Sequence, residues 1–325
     1  MVNLTYFFPS VADRVKNIKE LQGKKVLVTG ASGLIGNHVL ATLANVGANI
    51  SIIVNRTQPF AFYKGCDYYT WEALNESIIK FDYIFYLAGY GQPQRFSAKK
   101  FDTIAMNTMR LGELFLTLKE GGSILFVSTS ELYSGLTVEA TEEMIGTTTP
   151  AHPRAAYIEG KRCGEALIHV LNETGYYTGK IARIALAYGP GVRYDDTRVL
   201  SDFIRAGLET GSIQPHGGFS NIRTYCYITD TVEMLFNILL NGKQTVYNVA
   251  GESSITIEKL AYAISEKLGI WTYKYSQKDI EDGAPSVVRV STEKYQNEFG
   301  KMQFTDFDTG LSRAIEWWNY LKESK

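Results

Sequence analysis

The sequence is poor in cysteine, and its charges of opposite sign nearly cancel. Its 325 residues include only three cysteines, far apart in the chain. That scarcity excludes a disulfide framework and a cysteine-rich zinc site, and it fits a reduced compartment. Lys plus Arg is 33 and Asp plus Glu is 34, so no charge excess indicates nucleic acid or an acidic membrane surface as a partner.

Long apolar runs and metal-ligand spacings are also missing. No apolar run approaches the roughly 18 residues of a membrane helix. No signal-peptide pattern opens the chain. The four histidines show no paired metal-ligand spacing. We therefore expect a cytoplasmic protein with no metal site, no nucleic-acid partner and no membrane partner.

What the chain does contain is an alternation of short apolar strands and helices. The strands predicted before residue 188 are 25–29, 50–54, 83–88, 123–128 and 180–187. The helices predicted between them are 37–46, 101–118 and 157–171. Near-continuous apolar strands separated by helices indicate an α/β fold, a doubly wound parallel sheet covered on both faces.

A glycine-rich turn follows the first predicted strand and opens the first helix. Its sequence is GASGLIG, with Gly30, Gly33 and Gly36. The first glycine permits a tight turn, the second lets the backbone approach a pyrophosphate, and the third lets helix and strand pack closely. The helix N-terminus adds free N–H groups and a positive dipole end. This context favours a dinucleotide site over a simple tight turn.

The end of the second predicted strand leaves the choice between NAD and NADP open. An acidic residue at this point would bind a ribose 2′-hydroxyl, but the chain has Asn55 and Arg56. Without a carboxylate, repulsion of a 2′-phosphate is relaxed, which admits NADP. Arg56 could equally stack on adenine or face solvent.

After residue 188 the alternation becomes irregular. Helices are predicted at 199–208, 231–240 and 257–268, and a strand at 245–250. We therefore predict a Rossmann-type dinucleotide-binding domain over residues 1–188, with an N-terminal extension at 1–23. A smaller α/β subdomain over 189–325 would shape the substrate cleft, with some exchange of strands and helices between the two.

Tyr157 and Lys161 are four residues apart on a predicted helix, so their side chains share one face. A tyrosine hydroxyl has an ordinary pKa of about 10. A nearby ammonium and a charged nicotinamide ring favour the phenolate, and the lysine can also bind the nicotinamide ribose. Spacing alone makes such a pair more often structural. The segment STSE that ends at Glu131 follows a predicted strand at the ligand-binding edge of the sheet, and this position favours catalysis.

These motifs together resemble the extended short-chain dehydrogenase/reductases, the NAD-dependent epimerase/dehydratase family, which act on nucleotide sugars. The resemblance spans roughly residues 24–318. Asn107 is one of its marks. The segments that carry it are GASGLIG, DYIFYLAG, VSTSELYS, YIEGK, ARIALAYGPG, RTYCYITD and LSRAIEWW, which begin at residues 30, 82, 127, 157, 182, 223 and 311.

The resemblance implies a role for each matched residue. Thr129 binds the sugar 4-hydroxyl, Tyr157 is the base for oxidation at C4, and Lys161 supports it; Ser130 and Glu131 stand where dehydratases carry their acid and base. The residues implied to bind the cofactor are Gly30, Ser32, Gly33, Leu34, Ile35, Gly36, Asn55, Arg56, Leu87, Ala88, Gly89, Asn107, Tyr157 and Lys161. Those implied to bind the substrate are Gln92, Thr129, Arg223 and Arg289.

The resemblance leaves the reaction after C4 oxidation open. A 4-keto sugar acidifies C5 and labilises a C5 carboxylate, so decarboxylases, dehydratases and epimerases diverge here. The Thr129–Glu131 triplet resembles both UDP-glucuronate decarboxylases and GDP-mannose 4,6-dehydratases, whereas PRAAYIEGKRCGEAL and YGPGVRYDDTRVLSDFI are closer to the decarboxylases. Where those decarboxylases have an arginine, this chain has Gly191. The chain also lacks the acidic residue with which their second strand ends.

We therefore expect an enzyme that oxidises C4 of a nucleotide sugar, and decarboxylation of UDP-glucuronate is the preferred hypothesis for its reaction. The alternatives are a 4,6-dehydratase, a C4 dehydrogenase or an epimerase. A dinucleotide-binding sensor without turnover is a remote alternative, because such sensors commonly lack the tyrosine or the lysine. In similar proteins, helices equivalent to 101–118 and 157–171 pair with their symmetry mates, so the resemblance also implies a homodimer.

Overall fold

A computed structural model of the chain describes residues 4–54, 57–60, 65–215, 218–270, 283–301 and 303–324. Its strands are β1 (Lys25–Thr29), β2 (Asn49–Ile53), β3 (Asp67–Tyr69), β4 (Phe81–Tyr86), β5 (Leu118–Thr129), β6 (Thr178–Ile184), β7 (Leu186–Tyr188), β8 (Ile222–Tyr227), β9 (Val246–Val249) and β10 (Ser253–Thr256). Its α-helices are α1 (Leu34–Val46), α2 (Trp71–Asn75), α3 (Pro93–Ala98), α4 (Lys100–Asn107), α5 (Met109–Phe115), α6 (Ala155–Glu173), α7 (Val199–Thr210), α8 (Ile228–Asn241), α9 (Ile257–Leu268), α10 (Glu293–Phe299) and α11 (Phe307–Glu323).

Seven strands form one parallel sheet in the order β3-β2-β1-β4-β5-β6-β9. The order reverses between β1 and β4, so the chain leaves these two neighbouring strands toward opposite sides. A crevice opens at such a switch point, beyond the carboxyl ends of the strands. The predicted doubly wound α/β fold is therefore confirmed.

Helices cover both faces of this sheet because its central strands are apolar on both sides. In β1, every residue after Lys25 is buried. One core cluster lies between the sheet and α1, α8 and α11, and a second lies between the sheet and α5 and α6. Burial on both faces is what the near-continuous apolar runs require.

The N-terminal extension packs against the first of these cores. Phe7, Phe8 and Val11 are buried there, and the ring of Phe8 lies 5.5 Å from that of Trp317 in α11. The two ends of the described chain thus meet on one face of the sheet.

The predicted helix at 101–118 is wrong in two respects: it is interrupted, and its last residue, Leu118, begins β5. The segment forms two helices, α4 and α5, which are separated by Thr108 with φ −124° and ψ −77°. The side chain of Asn107 donates to the carbonyl of Thr103 at 2.7 Å, at the end of α4. Helical apolar spacing continues across the break, and therefore the sequence pattern predicts a single helix.

A second sheet of three strands, in the order β10-β8-β7, stands beside the large one. The strand β7 is parallel to β8, and β10 is antiparallel to it. The strand β9 follows β8 in the chain but joins the large sheet. The boundary at residue 188 stays a prediction, since elements from beyond it belong to both sheets.

The approach of α4 to α6 depends on a glycine. A Cβ added at Gly164 would lie 2.5 Å from Cζ of Phe126 and 2.7 Å from the carbonyl oxygen of Asn107. Real side chains do not reach such distances without displacing their neighbours. Gly164 therefore sets how closely the helix that carries Tyr157 packs on the sheet and on α4.

We expect Gly164→Ala to lower the free energy of unfolding by about 1–3 kcal/mol, because the extra methyl overpacks this contact. Urea unfolding followed by circular dichroism measures the change. The matched control is Gly112→Ala in α5, where a Cβ meets nothing within 4 Å. Equal effects of the two substitutions would contradict the packing explanation.

Candidate active site

The glycine turn lies between β1 and α1, directly beside the end of β4. Gly30 has φ +67°, and a Cβ there would lie 2.8 Å from the backbone of Leu87 and Ala88. A Cβ at Gly36 would lie 2.4 Å from the carbonyl oxygen of Gly30. The hydroxyl of Thr29 accepts from the N–H groups of Leu87 and Ala88 at 3.1 and 3.0 Å. The turn thus brings together the residues predicted for it: Gly30, Ser32, Gly33, Leu34, Ile35 and Gly36.

This turn fits the pyrophosphate of a dinucleotide. Gly33 is exposed, and it begins α1 without a side-chain cap or an acidic residue in the first turn. The N–H groups at this helix start therefore have no side-chain cap, and the helix dipole favours negative charge beside them. The other two predicted positions at the adenosine end, Asn55 and Arg56, lie outside the described residues.

A second group of predicted cofactor residues lies at the end of β4. A Cβ on Gly89 would lie 3.6 Å from Nζ of Lys161 and 3.8 Å from Oδ1 of Asn107. That Oδ1 is buried and has no hydrogen-bond partner among the described residues. An unpaired buried acceptor costs free energy, so a donor from a bound ligand would stabilise this position.

Thr129 and Tyr157 meet at the carboxyl edge of the sheet. Thr129 ends β5, and its hydroxyl accepts from the N–H of Glu131 at 3.2 Å. Tyr157, in the first turn of α6, hydrogen-bonds to the Thr129 side chain. Its ring stacks on Phe96 of α3, with centroids 4.6 Å apart and planes at 3°. A substrate hydroxyl placed here would contact both oxygens.

Burial raises the pKa of Tyr157 to about 12, although the hydrogen bond to Thr129 opposes this rise. Nearby charges also act: the carboxylate of Glu131 raises the pKa, and the guanidinium groups of Arg198 and Arg154 lower it. The protein alone therefore holds Tyr157 as a phenol at neutral pH. The positive nicotinamide ring would have to supply the remaining stabilisation of a phenolate.

Lys161 is buried one turn further along α6. Its ammonium donates to the carbonyl of Val127 at 2.6 Å and lies 4.6 Å from the centroid of the Phe126 ring. Burial lowers its pKa to about 7, while the carboxylate of Glu165 acts in the opposite direction. The lysine can therefore exchange a proton near neutral pH.

Behind these residues lies a buried ion pair. Glu165 accepts from the hydroxyl of Ser128 at 2.5 Å and from Nη2 of Arg183 at 2.7 Å. Arg183 in turn donates to the hydroxyl of Tyr133 at 3.0 Å, and that hydroxyl donates to Asn248 at 2.7 Å. Four segments that carry or flank the site, β5, α6, β6 and β9, are thereby joined.

Glu131 also pairs with an arginine that the sequence analysis did not single out. Nη1 of Arg154, just before α6, lies 2.6 Å from Oε1 of Glu131. The guanidinium of Arg154 also lies 5.7 Å from the centroid of the Phe96 ring. Ser130, between Thr129 and Glu131, is buried.

A second arginine missed in the sequence is Arg198, which acts electrostatically on both Tyr157 and Tyr225. Its guanidinium is paired with Asp196, with Nη2 and Oδ2 2.7 Å apart. Arg154 and Arg198 both lie within segments that carry the family resemblance. That resemblance was the available signal, but the spacing of residues assigned neither of them a role.

Besides Thr129, the predicted substrate residues lie on three further segments. Gln92 precedes α3, and its buried Oε1 has no partner among the described residues. Arg223 lies on β8. Arg289 is exposed on the neighbouring segment, whose backbone pairs with Ile222 through Ser286 and Val288. The two arginines are thus close in register.

Fold and site together define a dinucleotide-dependent enzyme with a tyrosine, a lysine and a threonine at the crevice. The chain belongs to the NAD dependent epimerase/dehydratase family, whose model matches residues 26–250. The predicted family is therefore confirmed, and with it an enzyme that uses a nicotinamide dinucleotide. The glycine turn, Asn107 and Lys161 are the described residues that fit this cofactor.

The chain is similar to UDP-glucuronic acid decarboxylase 1 of Xenopus tropicalis. The two are 27% identical over 278 residues, which cover 82% of this chain and 66% of the relative. The chain thus spans about two thirds of the length of that protein.

Solved structures of the same fold belong to enzymes that are named for different reactions. An epimerase from Methanothermobacter thermautotrophicus has a TM-score of 0.82 at 19% identity, covering 97% of this chain and 99% of the other. A dTDP-glucose 4,6-dehydratase from Streptomyces venezuelae, solved with NAD, has a TM-score of 0.80 at 19% identity, covering 92% and 98%. At these identities the likeness shows the fold alone.

Throughout the described part of the chain, every helix is too short or too polar to cross a bilayer. Within the same residues, no three side chains of His, Cys, Asp or Glu come together as a metal site.

We expect the buried lysine to make stability depend on pH. The pKa of Lys161 is about 7 in the folded protein, against 10.5 ordinarily. The unfolded chain therefore binds more protons between these values, and stability rises with pH. Relative to Lys161→Met, the apoprotein should gain roughly 2–3 kcal/mol of unfolding free energy between pH 6 and pH 9.

Urea unfolding at the two pH values measures this difference. Lys259→Met, at an exposed position of α9, is the control and should show no such pH dependence. If the difference in unfolding free energy between wild type and Lys161→Met stays constant from pH 6 to pH 9, folding does not lower the pKa of Lys161.

Proposed function

We propose that the protein oxidises C4 of a nucleotide sugar and that its substrate is UDP-glucuronate, which it decarboxylates. The observation that carries this proposal is the meeting of Tyr157 and Thr129 beside Lys161 and the glycine turn. A phenol, a second hydroxyl and an ammonium at one crevice are the groups that alcohol oxidation requires.

Bound NAD would accept the hydride from C4 and return it at the end of the turnover. In this proposal Thr129 orients the 4-hydroxyl, and Tyr157 takes its proton. The product is a β-keto acid, in which the C5–C6 bond breaks, its electron pair enters the C4–C5 enolate, and CO2 leaves. C5 then gains a proton, and Tyr157 returns its proton to O4.

Ser130 is compatible with decarboxylation, because CO2 needs no proton to leave. It leaves dehydration as an alternative, since the Thr129–Glu131 triplet also resembles that of GDP-mannose 4,6-dehydratases. The similarity to UDP-glucuronic acid decarboxylases, at 27% identity over most of the chain, favours decarboxylation.

Dehydration, epimerisation and simple C4 oxidation remain the alternatives, because they begin with the same step. A sensor without turnover is disfavoured by the presence of both Tyr157 and Lys161. The three cysteines are free, which fits the reducing cytoplasm as the proposed location.

Incubation with UDP-glucuronate tests the proposal. We expect CO2 and a UDP-pentose in equal amounts from the wild type. Tyr157→Phe should lower the rate at least about 100-fold, because it removes the acid–base group. Tyr262→Phe, at an exposed tyrosine of α9, is the matched control and should leave the rate unchanged.

Other products would replace the proposed reaction. Accumulated NADH without CO2 would indicate a C4 dehydrogenase, and UDP-galacturonate would indicate an epimerase. The absence of any product from UDP-glucuronate would remove the decarboxylase assignment.

We also propose a homodimer through α4, α5 and α6. These helices expose large apolar side chains: Phe101 is 90% exposed, Met109 67%, Val170 58% and Ile104 45%. An apolar patch on adjacent helices is typical of a protein interface. A second copy of the chain offers a matching patch, so a two-fold axis would cover both.

Sedimentation at micromolar concentration should give the mass of a dimer for the wild type. Phe101→Asp should shift the mass to a monomer, because it would bury a charge in the interface. Tyr262→Asp is the control: Tyr262 is 55% exposed and lies on α9, which packs against α7, α11 and β10. A monomeric wild type would contradict the interface.

A further inference from the structure

The ion pair between Arg154 and Glu131 connects the two segments that carry the catalytic hydroxyls. Glu131 is two residues after Thr129, and Arg154 is three residues before Tyr157. The side chain of Arg154 is only 5% exposed, whereas that of Glu131 is 20% exposed. The guanidinium is thus more deeply buried than the side chain with which it pairs.

Arg154 is itself held from a second side. Its guanidinium lies over the ring of Phe96. The same ring stacks on the ring of Tyr157. A planar guanidinium suits such stacking and a carboxylate contact at once, which a lysine does not. The orientation of Arg154 is therefore fixed independently of Glu131.

The pair also balances charge around the phenol. Glu131 raises the pKa of Tyr157, and Arg154 and Arg198 lower it. The guanidinium of Arg198 already forms an ion pair with Asp196. If Arg154 were removed, its guanidinium would no longer oppose the negative charge of Glu131 beside Tyr157.

We propose that Arg154 is a positioning residue that fixes the Glu131 carboxylate for proton transfer at C5, the step that follows C4 oxidation. The proposal rests on the proposed function, since it presumes an oxidised C4. In decarboxylation, Glu131 delivers to C5 one proton supplied by bulk solvent, which is the net proton that loss of CO2 from a carboxylate consumes. In elimination, Glu131 takes the C5 proton and passes it to the departing C6 hydroxyl, so that water leaves and the carboxylate is regenerated.

The prediction is that loss of Arg154 separates the two half-reactions. In single turnovers, the rise in absorbance at 340 nm follows C4 oxidation and trapped CO2 follows decarboxylation. The later fall at 340 nm follows return of the hydride, which requires that C5 has been protonated first. We expect Arg154→Gln to slow this fall about 10- to 100-fold while C4 oxidation and CO2 release change less than about threefold. Arg154→Lys should recover part of the loss, since it restores the charge without the planar fork.

A double-mutant cycle separates positioning from general damage. In the Glu131→Gln background, Arg154→Gln should cause little further slowing of the fall at 340 nm, because its target is already gone. Arg162→Lys is the control: this arginine pairs with Glu159 at 3.1 Å on the same helix and should leave both half-reactions unchanged. Additive losses, or equal losses in both half-reactions, would overturn the proposal.

The same variants distinguish this inference from the proposed function. If the wild type oxidises UDP-glucose but forms nothing from UDP-glucuronate, decarboxylation fails, and Arg154 is judged on elimination of water from UDP-glucose. If the wild type only epimerises, no proton is exchanged at C5, and the inference falls. If no sugar nucleotide reduces the bound cofactor, both proposals fall together.

Discussion

One buried ion pair fixes the geometry on which the site depends. Glu165 and Arg183 are both almost fully buried, and the same carboxylate also accepts from Ser128. A buried pair of this kind is intolerant of losing one partner, which typically costs about 3–5 kcal/mol. Because Ser128 adjoins Thr129 and Glu165 lies one turn from Lys161, this pair fixes strand and helix relative to each other. The spacing between the Thr129 hydroxyl, the Tyr157 phenol and the Lys161 ammonium therefore depends on this ion pair.

A second constraint is close backbone approach at glycine. The turn after β1 contacts the end of β4 at Gly30, and α6 contacts α4 and the sheet at Gly164. Neither approach leaves room for a Cβ. The first creates a shallow cradle at a helix start, and the second brings Asn107 and Lys161 to the same side of Gly89. The missing side chains thus let rigid elements, rather than loops, define the cofactor region.

Much of this organisation could be predicted from local patterns. The strands at β1 and β6, the helices α6 and α9, the glycine turn and the Tyr157–Lys161 pair all follow from spacing within one segment. The break at Thr108 was not predictable, since apolar spacing continues through it. The predicted strand 180–187 runs through both β6 and β7, which belong to different sheets. The strands β8 and β10 were not predicted, because strands with mixed burial such as these give no clear alternation. Pairing with distant segments decides such strands.

The α/β class, the family and the residue types available for chemistry follow from the linear sequence, because periodicity, glycine spacing and motif order are properties of contiguous residues. How those residues act depends on the folded structure. The pairing of Glu131 with Arg154, the electrostatic contact of Arg198 with Tyr157, and the burial that brings the pKa of Lys161 to about 7 all arise between distant segments. Charge, desolvation and hydrogen bonding depend on distances in space, which the order of residues along a chain does not state.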